Sequence, residues 1–96
     1  MAKAYWVGIY NSVSNPDALS AYAELATRAI VAGGGRFLAR GNAAKAYEAG
    51  LAQRVVIIEF DSVAQAVAAH DGEAYQAALK VFGNAGVRDL RIVEGV

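Results

Sequence analysis

The chain has 96 residues, with nine basic and nine acidic side chains, one histidine and no cysteine. This length suits one domain, expected to span residues 1–96. Balanced charge argues against a nucleic-acid partner, which normally requires a basic surface. A single histidine excludes the usual multi-histidine metal sites, and the lack of cysteine excludes disulfides and thiol chemistry.

The N-terminal segment Met-Ala-Lys-Ala-Tyr-Trp enters a predicted strand at once. It lacks the apolar run and cleavage site of a signal peptide. No apolar segment reaches membrane-spanning length. We therefore expect a cytoplasmic protein without a membrane partner.

The first strand is predicted over residues 5–10, and its two faces differ. One face is uniformly large, whereas Gly8 leaves a gap between two aromatic residues on the other. The uniform face comprises Tyr5, Val7 and Ile9, and the interrupted face comprises Trp6, Gly8 and Tyr10.

A helix is predicted from Pro16 to about Ala32, because Asn15 is a favourable N-cap and proline suits the first helical position. The triplet Gly33-Gly34-Gly35 ends it. Phosphate-binding loops follow a strand and precede a helix, which is the reverse of the order here. We interpret the triplet as a helix cap.

The central strand is predicted within residues 54–62, Arg-Val-Val-Ile-Ile-Glu-Phe-Asp-Ser. Its run of β-branched residues predicts a strand that is apolar on both faces. The preceding strand is predicted over residues 36–41. A capping box at Ser62 and Gln65 begins a second helix, which breaks at Asp71-Gly72 and continues from about residue 73. The last strand is predicted over residues 87–94.

The predicted order is βαββαβ, which is the ferredoxin-like α+β arrangement. It has a four-stranded antiparallel sheet with both helices on one face. We assign to the helix side Val7, Ile9, Phe37, Ala39, Val56, Ile58, Phe60, Leu90 and Ile92. We assign to the opposite face Trp6, Gly8, Tyr10, Arg36, Leu38, Arg40, Val55, Ile57, Glu59, Asp89, Arg91 and Val93.

The opposite face is too apolar for water, and no helix remains to cover it. A second copy of the chain is the simplest cover, so the predicted partner is the protein itself, in a homodimer with sheet packed on sheet. The charged residues of that face would then border a partly dry cleft between the two sheets.

Four segments of the sequence carry a resemblance to a known family. They are Gly34–Gly41, Arg54–Phe60, Glu73–Gln76 and Ile92–Gly95. In this order they resemble the domain-of-unknown-function 1330 family, over nearly the whole chain. The resemblance implies a dimeric α+β barrel, in which two ferredoxin-like sheets enclose a cavity. It implies no particular activity, because the wider superfamily includes cofactor-free monooxygenases, isomerases, haem-handling enzymes and ligand binders.

Glu59 and Arg40 are the first candidates for chemistry. If the hairpin turn centres on Ala49-Gly50, Arg40 lies opposite Glu59 and both point between the sheets. A carboxylate held by a guanidinium can accept a proton or anchor a polar substrate. The alternative is a structural ion pair that fixes register and dimer geometry.

His70 is the second catalytic candidate, because histidine most readily exchanges protons near neutral pH. The alternative is a core histidine bonded to a backbone carbonyl. The candidate substrate-binding residues are Arg40, Trp6, Tyr10, Tyr75 and Arg91. The aromatic members could equally be core or interface residues, and Arg91 could be solvated at the sheet rim. We expect no metal, and nothing in the sequence favours haem or another cofactor.

Three hypotheses about function stay open. The protein could be a small-molecule enzyme without a tightly bound cofactor, acting through Glu59, Arg40 and His70. It could bind a small polar or aromatic molecule, such as a carboxylate, without turnover. Alternatively, it could be a structural or assembly module with no catalytic activity.

Overall fold

The helices and strands follow the predicted order, with the second helix divided in two. A computed structural model describes residues 2–96. The elements are β1 (Ala4–Val13), α1 (Pro16–Ala32), β2 (Arg36–Asn42), β3 (Arg54–Phe60), α2 (Val63–Asp71), α3 (Glu73–Phe82) and β4 (Gly86–Glu94). The strands form one antiparallel sheet in the order β2-β3-β1-β4, with β1 and β3 central as predicted.

Local signals set the helix ends. The side chain of Asn15 accepts a hydrogen bond from the backbone nitrogen of Ala18 at 3.1 Å, and Ser62 accepts one from that of Gln65 at 3.0 Å. These bonds satisfy amide groups that have no partner within the helix. At the end of α1, Gly34 has a φ of 95°. A Cβ at Gly35 would lie 2.5 Å from Ile30, so the chain needs glycine at both positions.

The face assignment of β1 was wrong. Trp6 and Tyr10 are each 2% exposed and belong to the core beneath the helices. Val7 and Ile9 therefore lie on the opposite face. The reason lies in packing: the helices bury alanines at positions 26, 29, 66 and 78, and Trp6 and Tyr10 help to fill the space that these small side chains leave.

A bulge in β2 also changes the predicted register. The pairing shifts between Phe37 and Ala39, so that Arg36 lies opposite Glu59 and Arg40 lies opposite Val56. The prediction that Arg40 faces Glu59 was therefore wrong. Because the extra residue reverses the alternation, Arg40 points to the helix side and Ala39 to the opposite face, contrary to prediction.

We call the sheet surface opposite the helices the open face. By register it comprises Tyr5, Val7, Ile9, Arg36, Ala39, Val55, Ile57, Glu59, Asp89, Arg91 and Val93. On β3 and β4 these are the residues predicted for that face. Over residues 2–96, no helix is both long enough and apolar enough to cross a bilayer.

Candidate binding cavity between the sheet and the first helix

The helix side of the sheet changes from apolar to polar along the strands. Neighbouring side chains form rows across it, because paired residues share a face. The first row is Phe37, Ile58, Trp6 and Ile92; the second is Arg40, Val56, Gly8 and Leu90. In the third row Tyr10 pairs with Arg88, and the Arg54 guanidinium lies 5.9 Å from the Tyr10 ring centre.

A cavity lies between these rows and α1. Its volume is about 30 Å³, which is room for about two water molecules, so the cavity is narrow; it is partly open to solvent. Gly8 on β1 and Ala23 and Ala26 on α1 all line it, so no large side chain fills its middle. The gap that Gly8 leaves between Trp6 and Tyr10 is thus part of a cavity wall.

The charged groups of the cavity are all of one sign. Arg40, Arg54 and Arg88 line it, and no carboxylate from residues 2–96 does. Burial of unpaired positive charge is costly, so such a lining favours a negatively charged occupant.

Arg40 and Arg54 lie on β2 and β3, toward one side of the cavity. Arg40 is exposed and donates a hydrogen bond from Nη1 to the hydroxyl of Thr27 at 3.0 Å. Its guanidinium also lies 4.5 Å from the ring centre of Phe37. Among the described residues, the Arg54 Nε is the buried side-chain polar atom that has no hydrogen-bond partner. Buried donors are normally satisfied, so this one is available to a ligand or water.

Arg88 lies at the centre of a cluster with three tyrosines. Its Nη1 donates to the hydroxyls of Tyr10 at 3.1 Å and Tyr22 at 2.9 Å, and its Nη2 donates to that of Tyr75 at 3.0 Å. The Tyr22 and Tyr75 hydroxyls share a further bond of 2.7 Å. We call Tyr10, Tyr22, Tyr75 and Arg88 the tyrosine–arginine cluster. All three rings are buried.

The electrostatics of this cluster fix its charge at neutral pH. Burial raises the pKa of the Tyr75 phenol well above its usual range, and Tyr22 adds to the rise while Arg88 opposes it. Burial alone lowers the pKa of Arg88, but its interactions with the three phenols outweigh that effect and raise its pKa. Near neutrality, therefore, Tyr75 is neutral and Arg88 carries a positive charge beneath α1.

His70 lies beside the cluster without lining the cavity. Its ring centre is 5.5 Å from that of Trp6 and 5.1 Å from that of Tyr75. Its Nδ1 is 2.9 Å from the Asp71 carboxylate. It borders a separate shallow groove, whose other lining residues are Val67, Asp71, Leu90 and Ile92. A catalytic role for His70 stays a prediction.

The structure divides the candidate site residues between the two sides of the sheet. Trp6, Tyr10 and Arg40 line the cavity, and Tyr75 lies behind it in the tyrosine–arginine cluster. Glu59 and Arg91 lie on the open face, so the sheet separates them from the cavity.

Both open-face candidates have local partners. Glu59 accepts hydrogen bonds from Arg36 at 3.0 Å and from the Tyr5 hydroxyl at 3.2 Å. Arg91 forms two hydrogen bonds with Asp89, at 3.0 and 2.8 Å. A site between the sheets of a dimer that uses Glu59 or Arg91 stays a prediction. In residues 2–96, no three histidine, cysteine, aspartate or glutamate side chains are grouped so as to hold a metal ion.

Arg88, Arg54 and Tyr22 were not among the site residues predicted from the sequence. For Arg88 the signal was present, because strict alternation places it on the same face as Leu90 and Ile92. An arginine in the buried set of a strand is unusual and marks a position that needs polar partners. The role of Tyr22 needed three-dimensional contacts, since its neighbours come from β4 and α3.

The βαββαβ order, the antiparallel sheet and the helices on one face define a ferredoxin-like protein. Its sequence places it more narrowly. The chain belongs to the family described as "Domain of unknown function (DUF1330)", whose profile matches residues 3–96. The resemblance found in the sequence is therefore confirmed. No curated protein matches the chain.

Several solved structures share this fold. A protein of unknown function from Rhodopseudomonas palustris, RPA0582, is 21% identical with a TM-score of 0.68, over 97% of this chain and 80% of that one. A dimeric ferredoxin-like protein of unknown function from Thermobifida fusca is 16% identical with a TM-score of 0.66, over 97% and 91%. A candidate antibiotic biosynthesis monooxygenase from Nitrosomonas europaea is 14% identical with a TM-score of 0.61, over 99% and 90%. At these identities the likeness establishes the fold alone.

Proposed function

We propose that the protein binds a small organic anion in the cavity between α1 and the sheet. The observation that carries this proposal is the charge of the lining: three arginines and, among the described residues, no carboxylate. A ligand that supplies negative charge would offset part of the positive charge of the three guanidinium groups. The hypothesis of a purely structural module offers no reason for arginines to gather around unfilled space.

The change from apolar to polar side chains along the strands should orient such a ligand. An acidic group belongs at the third row, where Arg54 and Arg88 flank Tyr10, and an apolar or aromatic body belongs over Gly8 and Leu90. Because the cavity is narrow, a flat ring fits better than a branched body. A ring-sized ligand needs the exposed Arg40 side chain to swing away from Thr27, which breaks one hydrogen bond.

We propose binding without a specified reaction. The cavity lining contains no carboxylate or imidazole from the described residues that could act as a general base. The imidazole of His70 lies outside the lining, against the Trp6 and Tyr75 rings.

The test is calorimetric titration with benzoate, with benzamide as its neutral match. We expect benzoate to bind at least about tenfold more tightly, because charge-assisted hydrogen bonds are roughly twice as strong as neutral ones. Added salt should weaken benzoate binding. Equal affinity for the two compounds, or no benzoate binding at all, would overturn the proposal.

Two variants test whether the ligand binds in this cavity. Arg54→Met should weaken benzoate binding, whereas Arg28→Met makes the same change at an exposed position of α1 and should leave it unaltered. Gly8→Ala adds a methyl group 3.3 Å from Leu90 inside the cavity, and it should weaken binding without unfolding the protein, because the backbone at Gly8 is not in the left-handed region. If benzoate affinity is unchanged in both Arg54→Met and Gly8→Ala, the ligand does not bind in this cavity.

We also propose that the protein is a homodimer joined through the open face. The apolar side chains Val7, Ile9, Val55 and Ile57 lie there with no helix over them. The Thermobifida fusca neighbour is described as dimeric, which supports this arrangement. Sedimentation equilibrium at micromolar concentration should give the mass of two chains, and the mass of one chain would refute the dimer.

A further inference from the structure

The hydrogen bonds of the tyrosine–arginine cluster leave phenol hydrogens unused. Arg88 donates to all three phenol oxygens, so none of the three O–H groups donates to Arg88. The Tyr22–Tyr75 bond uses one of the three hydrogens. The other two have no acceptor among residues 2–96, although the rings are buried. Buried donors without acceptors are costly, so the cluster is set to receive an acceptor from outside the chain.

The direction of the Tyr22–Tyr75 bond decides where these hydrogens lie, since either hydroxyl can be its donor. Tyr10 and Tyr22 line the cavity and Tyr75 does not. When Tyr75 donates to Tyr22, both unused hydrogens belong to the two lining residues. Their oxygens lie 3.1 and 2.9 Å from the same nitrogen of Arg88, so the two donors are close together.

Three of the five N–H hydrogens of Arg88 are committed to the tyrosines. Both hydrogens of its Nη1 are committed to Tyr10 and Tyr22, and one hydrogen of its Nη2 is committed to Tyr75. A bidentate pair with a carboxylate requires two parallel N–H donors. For such a pair Arg88 retains its Nε hydrogen and one Nη2 hydrogen. The phenol O–H groups, polarised by the positive charge behind them, are further donors at this end of the cavity.

We propose that Tyr10 and Tyr22 form an oxyanion-binding site for the ionised oxygen of a phenol or enol, with Arg88 supporting both hydroxyls. The proposal rests on the proposed function and names the class of its ligand. Preorganised donors that converge on one oxygen, in a site with little water, stabilise its charged form.

The charges around this site favour the same ligand. Arg88 from β4, Arg54 from β3 and Arg40 from β2 line the cavity, Thr27 and Tyr22 come from α1, and Tyr75 comes from α3. No carboxylate from residues 2–96 lines the cavity to oppose them. Since the lining also lacks a general base, the ligand must be acidic enough to ionise on binding, as conjugated enols and electron-poor phenols are.

The test uses 4-nitrophenol, whose ionised form has its own absorbance, with 4-nitroanisole as the match that cannot ionise. We expect the pKa of bound 4-nitrophenol to fall by about one unit or more, because hydrogen bonds to a charged form favour it. Tyr10→Phe should weaken 4-nitrophenolate binding about tenfold and leave 4-nitroanisole unaffected. Tyr5→Phe, which removes a hydroxyl from the open face, should change neither.

The outcomes separate this inference from the proposed function. If benzoate does not bind, the proposed function is wrong. If benzoate binds but the pKa of bound 4-nitrophenol is unchanged or raised, the oxyanion site alone is refuted. The same conclusion follows if Tyr10→Phe binds 4-nitrophenolate as tightly as the unaltered protein does. Circular dichroism verifies folding, and Tyr22→Phe repeats the test at the second donor should Tyr10→Phe not fold.

Discussion

Replacing Tyr22 by phenylalanine tests whether the tyrosine–arginine cluster holds the helices to the sheet. Tyr22 is 6% exposed, and its hydroxyl joins Arg88 on β4 at 2.9 Å to Tyr75 on α3 at 2.7 Å. The ring remains in Tyr22→Phe, so the variant removes the hydroxyl and its hydrogen bonds without leaving a large cavity.

The expected cost follows from the bonds that are lost. A hydrogen bond to a charged group contributes about 1.5–3 kcal/mol and a neutral one about 0.5–1.5 kcal/mol. Arg88 keeps Tyr10 and Tyr75 as partners, and Tyr75 keeps Arg88, so neither is left without a partner. The loss of folding stability should therefore lie near the sum of the two lower limits, at about 2 kcal/mol. For a domain of this size that corresponds to a melting temperature lower by about 8–16 °C.

The measurement is urea denaturation followed by circular dichroism, at a fixed protein concentration because dimerisation would contribute to apparent stability. The matched control is Tyr47→Phe, since Tyr47 is 72% exposed. It should change the free energy of unfolding by no more than about 0.5 kcal/mol. If Tyr22→Phe also stays within that margin, the hydroxyl network does not stabilise the fold and our account of the cluster is refuted.

Three further predictions concern pH, the open face and Glu59. Burial raises the pKa of the Tyr75 phenol above its ordinary value of 10.0, so the neutral phenol's contribution to folding stability is complete below that pH and is lost as the pH rises past it. Melting temperatures should therefore fall in alkaline buffers, and they should fall less steeply in Tyr75→Phe. Ile57→Lys should dissociate the dimer in sedimentation by burying an unpaired charge, whereas Val31→Lys, at a 56% exposed position of α1, should not; a dimeric Ile57→Lys would contradict the interface. Glu59→Gln should leave benzoate affinity unchanged, because the sheet separates Glu59 from the cavity; weaker benzoate binding in this variant would contradict the proposed site.

Element order and most boundaries could be predicted because their signals are local, although β1 ends at Val13, three residues beyond the predicted end at Tyr10. Asn15, Pro16 and Ser62 act on backbone groups within one helical turn, and the glycine triplet ends α1 where the sequence indicates. The alternation along β3 likewise separated its two faces correctly. These features need no knowledge of what packs against them.

The side of the sheet that each residue of β1 faces could not be predicted in this way. Alternation separates Trp6, Gly8 and Tyr10 from Val7 and Ile9, but it does not say which set is buried. Packing decides that question, and here the alanines of the helices leave room for large rings. Uniform size along one face was therefore a poor guide to which side of β1 is buried.

The bulge in β2 had the largest effect on the candidate site. Nothing within residues 36–40 marks Leu38 as an extra residue, since neither glycine nor proline is present there. The shift in pairing removed Arg40 from Glu59 and brought it to the cavity, where it lies with Trp6 and Tyr10. The candidates Arg40, Trp6 and Tyr10 thus lie together, on the helix side of the sheet and away from Glu59.

The tyrosine–arginine cluster is hard to explain as structure alone. Leucine at position 88 and phenylalanine in place of the three tyrosines would occupy similar space without the desolvation that opposes the charge of Arg88. Replacing buried charged networks by apolar residues is often neutral or stabilising. The neighbouring carboxylate offers no compensation, because Asp89 lies on the open face and pairs with Arg91. The polar groups also gather at one end of a cavity instead of being spread through the core, and that position is the reason to seek their purpose in a ligand.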